Sequence, residues 1–76
     1  MNKDTRKRLT KLIETLTEVK ENLEEIAEEE QEKYDNMPEG LQESDRGQAM
    51  MEAADEITEQ ANALEEIIDA LNAYTD

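Results

Sequence analysis

The apolar residues of this chain are few, and most of them fall on lines spaced by seven. With Leu9 taken as heptad position a, Leu16 and Leu23 repeat it; Leu12, Val19 and Ile26 fill position d, and Ile13 and Ala27 fall at e. The second half repeats the pattern. Met50, Ile57, Leu64 and Leu71 form one row, Ala54, Ala61 and Ile68 a companion row, and Ala53, Ile67 and Tyr74 widen the stripe. Residues three and four apart share a helix face, so this spacing predicts two amphipathic helices. High charge with low hydrophobicity is also the composition of disordered segments. Periodicity argues against disorder here, because the apolar residues hold a register. In the first helix the register loosens at its end: Glu30 takes the next a position and the apolar line moves to Ala27, Tyr34 and Met37, a shift that resembles a coiled-coil stutter.

Pro38 and Gly40 are the strongest breakers, and a residue preceding proline avoids helical geometry. The expected boundaries are a helix over about 4–35, a loop over about 36–44 and a helix over about 45–74, all within one domain spanning 1–76. Pro38 to Gln42 fits one short helical turn. Asp45 with Gln48 three residues later fits a capping box, and Ser44 is an alternative N-cap. The fold class is therefore all-α: an antiparallel two-helix hairpin. Each stripe covers about three heptad positions of seven, wider than a two-stranded seam needs, so the hairpin is expected to dimerise into a four-helix bundle. Successive alanines at 54 and 61 let a neighbouring helix approach closely.

Charge bounds the partners. Residues 12–76 hold 21 acids against Lys20, Lys33 and Arg46, a net −18, while residues 1–11 hold five bases against Asp4, a net +4. The long acidic stretch repels nucleic acid and anionic membrane and attracts basic protein surfaces. No apolar run is long enough for a membrane span and no secretory signal is seen, so a soluble, cytoplasmic protein is expected. The basic cluster Lys3, Arg6, Lys7, Arg8 and Lys11 lacks aromatic interleaving. It is expected to neutralise acids at the same end of the hairpin, near Asp69 and Asp76.

The chemistry of enzymes is poorly represented. With no histidine and no cysteine, the candidates reduce to carboxylates, Lys, Tyr, Ser and Thr, and the single serine, Ser44, stands where an N-cap belongs. No catalytic, cofactor-binding or metal-ligating residue is assigned. The loop from Asp35 has a glycine at its sixth position, as an EF-hand does, but Met37 and Arg46 stand where the third and twelfth positions need ligands. Glu28, Glu29 and Glu30 read as a solvated face rather than a cation site.

What remains is acidic faces. Glu14, Glu21 and Glu28 recur on one outer line of the first helix, and Glu18, Glu25 and Glu32 on another; Glu52, Glu59 and Glu66 recur on the second helix. Carboxylates three or four residues apart on a helix stand about 5–6 Å apart, so such rows imitate a phosphate track. Glu14, Glu18, Glu21, Glu25, Glu28, Glu52, Glu59 and Glu66 are the candidate partner-binding residues. Tyr34, Met37, Leu41 and Arg46 are the candidate loop contacts. As structure, Met37 and Leu41 would plug the end of the bundle over Tyr34, and Arg46 would pair with Asp45, Glu43 or Glu39.

The segment Tyr34-Asp35-Asn36-Met37-Pro38-Glu39-Gly40-Leu41-Gln42-Glu43-Ser44-Asp45-Arg46-Gly47 resembles a motif of short, acidic, mostly uncharacterised helical-hairpin proteins from phages, prophages and mobile elements of Gram-positive bacteria. The resemblance covers about Glu32 to Ala54 and centres on Asn-Met-Pro-Glu-x-Leu-Gln. The chain departs from the pattern at Gly40, where asparagine is frequent, and at Gly47, where an aromatic is frequent. The resemblance implies a phage-type setting, in which small acidic proteins inhibit host defence enzymes. The leading expectation is a non-enzymatic inhibitor acting by DNA-mimic-like charge. It would occupy the basic, nucleic-acid-binding surface of a host enzyme such as a restriction or CRISPR nuclease, without binding nucleic acid itself. The alternatives are an adaptor that docks through its apolar stripe or loop, and a small-ligand sponge with a pocket at the dimer interface near Tyr34 and Arg46.

Overall fold

The structure is a computed structural model and describes residues 1–75. These residues are all-helical: α1 (Lys3–Asp35), the single turn α2 (Glu39–Gln42) and α3 (Asp45–Asn72). α1 begins where the side chain of Asn2 accepts the backbone N–H of Thr5 at 2.8 Å, satisfying one of the free donors of the first turn. It ends at Asp35, with the Asn36 and Met37 amides donating back to Glu32 and Tyr34 and Pro38 blocking continuation. Leu41 and Gln42 then donate to the Pro38 carbonyl, which closes α2.

Ser44, not Asp45, caps α3. Its backbone is extended and its Oγ accepts the Gly47 N–H at 3.2 Å. Asp45 is already helical, so its carboxylate sits in the first turn, where the helix dipole favours it. Gln48 closes no capping box; its amide donates instead to the Gln42 carbonyl at 3.1 Å. α3 stops at Asn72, two residues short of the expected end, and residues 73–75 form turns on Leu71 and Asn72.

α1 and α3 lie alongside each other in a rod of 58 × 14 × 14 Å. Positions that meet climb along α1 as they descend along α3. Lys20 reaches Glu65, Leu23 shares a groove with Ile57, and Ala27 shares one with Ala54. The seam differs from the expected a/d core. Ile13 and Ala27 are buried in α1, facing Ala54, Ala61 and Ile68 in α3. The row Ile13, Lys20, Ala27, Tyr34 is thus the centre of contact, continuous to the end of α1, and the register needs no stutter. The rows of Leu9 and of Ile57 are half-buried on one flank, whereas Leu12, Val19 and Ile26 remain 61%, 44% and 44% exposed. Size decides the choice. Helix axes come closest where side chains are smallest, so the line of contact runs through Ala27, Ala54 and Ala61, and the leucines pack beside it.

Gly47 is buried for a related reason. A Cβ there would lie 2.5 Å from the Gln42 carbonyl oxygen and collide with that of Leu41. The backbone of α2 rests on the first turn of α3, and only a glycine admits it.

Candidate functional site

Every acidic candidate, Glu14, Glu18, Glu21, Glu25, Glu28, Glu52, Glu59 and Glu66, is exposed. Their placement follows from the seam. At 100° per residue, with the buried row of α1 pointing at α3, Leu12, Val19 and Ile26 turn to one side. Glu14, Glu21 and Glu28 turn to the other, and Glu18 and Glu25 point away from α3. On α3 the row Ala53, Gln60, Ile67, Tyr74 turns to one side, Asp55 and Asp69 to the other, and Glu52, Glu59 and Glu66 face outward. Because the helices run in opposite directions, the sense of rotation is mirrored between them, and both apolar rows fall on the same face.

The rod is therefore two-sided. One face has a groove lined by Leu23, Ile57 and Gln60 together with the carboxylates Glu56 and Glu59, and it also carries the exposed Leu12, Val19 and Ile26 with Ile67 (48% exposed) and Tyr74 (60%). The opposite face has a polar groove in which the carboxylates of Glu24, Glu28 and Asp55 surround Ala27 and Ala54. Next to it lies Lys20, whose stem crosses the seam while its ammonium reaches Glu65 at 3.0 Å and Glu24 at 3.4 Å. The hydrogen bond to Glu65, reinforced by Glu24 and opposed by partial desolvation, raises the Lys20 pKa above its ordinary value. This cross-helix pair was missed in the sequence. The available signal was a lone base inside the row of Ile13, Ala27 and Tyr34.

The loop is built as structure. Gln42 ties α2 to the end of α1 by donating to the Tyr34 carbonyl at 2.8 Å, and Ser44 Oγ donates to the Leu41 carbonyl while serving as cap. Tyr34 and Met37 are half-buried, but Leu41 is 52% exposed and does not plug the end of the rod. It is the backbone of α2, not the Leu41 side chain, that packs on Gly47. Arg46 is exposed and, among the described residues, pairs with none of Asp45, Glu43 or Glu39; adjacent helix positions do not face each other, and the other two acids precede the helix. The basic cluster at Lys3, Arg6, Lys7, Arg8 and Lys11 is likewise exposed and forms no ion pair with Asp69. Asp76, the other acid expected there, lies outside the described residues.

Among the described residues no helix is long and apolar enough to cross a membrane. Comparison with protein-family models, with curated proteins and with solved structures gives no match.

Proposed function

We propose that the chain is a non-enzymatic acidic binding protein. Its apolar face pairs two antiparallel hairpins into a four-helix bundle, and its carboxylate faces engage the basic, nucleic-acid-binding surface of another protein. The observation that carries this reading is charge density. A single chain bears −14 along 58 Å, and two chains side by side bear twice that along the same length, about one charge per 2 Å. Duplex DNA carries about one per 1.7 Å. Pairing through the apolar face thus brings the rod close to the linear charge of a duplex and leaves the rows of Glu14, Glu18, Glu52 and Glu59 outermost. The setting implied by the loop motif makes a host defence nuclease the partner class of choice, in the cytoplasm of the host cell.

The test is capture from host lysate at low and high salt, followed by competition with duplex DNA. A nucleic-acid enzyme released by salt and displaced by DNA supports the proposal. A partner held at high salt and indifferent to DNA overturns it in favour of the adaptor reading, which draws on the same exposed row of Leu12, Val19 and Ile26 and needs no charge.

A further inference from the structure

The apolar face constrains how a second copy can sit on it. We infer that the two copies pack antiparallel, α1 upon α1, with the twofold axis passing near Val19 and Arg8 of each copy paired with Glu29 of the other. The inference rests on the bundle proposed above and adds its orientation.

Two features argue for it. The first is the symmetry of the exposed row of α1, which reads Thr5, Leu12, Val19, Ile26, Lys33. Reversed about Val19, the row matches itself in character. Leu12 meets Ile26 of the second copy, Val19 meets Val19, and polar Thr5 meets Lys33 at the ends. The row bordering it on the outer side reads Arg8, Thr15, Asn22, Glu29. Reversed about nearly the same point, it sets Arg8 against Glu29 and Thr15 against Asn22, each twice in the dimer. On α3, the corresponding central residue is Gln60, a neutral amide able to bond its own copy near the axis. The outer border row of α3 is Ala49, Glu56, Ala63, Ala70, which meets itself without placing two acids together.

The second is charge at the ends. Residues 1–11 carry +4, whereas Glu28 to Asp45 hold eight acids and Lys33 as the one base. An antiparallel pair lays each basic end beside the acidic loop end of the other copy. A parallel pair, with α1 upon α3 of the second copy, stacks the two loop ends together and brings Glu29 toward Glu52 and Glu56. Like charges at that spacing oppose association. The basic cluster, which forms no ion pair with Asp69, has a counterpart in this arrangement.

The absence of cysteine makes the test direct. Single-cysteine variants Lys7→Cys, Glu18→Cys and Glu32→Cys, each spin-labelled away from the apolar face, report distances between copies by pulsed dipolar spectroscopy. In the antiparallel pair the axial separation grows by about 3 Å per residue from Val19, twice the helix rise. The Lys7 and Glu32 pairs should then lie roughly 20 Å farther apart than the Glu18 pair once a lateral offset of about 20 Å between labels is included. Three similar distances would overturn the orientation while leaving the bundle standing. A monomeric mass without dipolar coupling would remove the bundle as well. Charge reversal gives an independent readout: Arg8→Glu or Glu29→Lys alone should weaken the dimer several-fold at low salt, and the two together should restore it. Failure of the double variant to recover would contradict the Arg8–Glu29 pairing. The orientation outcomes do not bear on partner binding by the carboxylate rows, which the lysate capture tests separately, whereas a monomeric mass would halve the charge density on which that reading rests.

Discussion

Replacing Leu12, Val19 and Ile26 together by glutamine should dissolve the proposed dimer and spare the helices. Within one chain these residues touch little, being 61%, 44% and 44% exposed. Full burial of such a side chain is worth about 1.5–3 kcal/mol, so covering the open half contributes about 1 kcal/mol each. Three residues from each of two copies give about 6 kcal/mol per dimer, a rise in dimer Kd of roughly 10⁴-fold. Glutamine is a good helix former, so local propensity is kept. Sedimentation equilibrium across concentration measures the constant, and circular dichroism the helicity. The matching control, Glu18, Glu25 and Glu32 to glutamine, lies on the outer line and should leave the dimer constant unchanged or improved. A triple apolar variant that dimerises within tenfold of the parent would refute the claim that this face is the interface.

The loop and the seam make further predictions. Gly47→Ala should cost about 1–3 kcal/mol in thermal melts, because its Cβ meets backbone carbonyls that a side-chain rotation cannot move. Gly40→Ala, where nothing lies within 4 Å, should be neutral or stabilise α2 by up to about 1 kcal/mol, the full gain in helix propensity. Lys20 links stability to pH. Its folded pKa is raised above 10.5, so its contribution is fully present below that pH and is lost as pH rises through the folded value. Lys20→Gln should accordingly lower the melting temperature at neutral pH, and its difference from the parent should shrink in melts above pH 10.5.

Much of this was legible in the chain. The two helices, the turn at Pro38 and the small-residue row of Ala54 and Ala61 follow from heptad spacing and breaker residues, and Ser44 was one of two readable caps. The choice of seam was not. Rows a, d and e of α1 lie within about 100° of arc, and a repeat of seven cannot say which of them meets the other helix. That depends on which pair of rows lets the axes come closest, and it is Ala27 against Ala54 that does so. The exposed position of Leu41 was illegible for a similar reason, since it depends on the α2 backbone resting on Gly47. The acidic rows were read correctly as exposed, but their position relative to the apolar face required the seam. Position 47 has no space for a side chain, because the α2 backbone already fills it.

The central claim is that the carboxylate rows, acting together, bind the partner. Its most direct measurement is inhibition of the captured nucleic-acid enzyme by the variant with Glu14, Glu18, Glu21 and Glu25 all replaced by glutamine, at several salt concentrations. Exposed ion pairs are individually weak and screened within about 8 Å at physiological ionic strength, so many must act additively. The variant should remain helical and dimeric, inhibit several-fold to a hundredfold less well, and show a shallower salt dependence than the parent, while Arg46→Ala behaves like the parent. Undiminished inhibition by the row-neutralised variant, with salt irrelevant to both, would contradict the account.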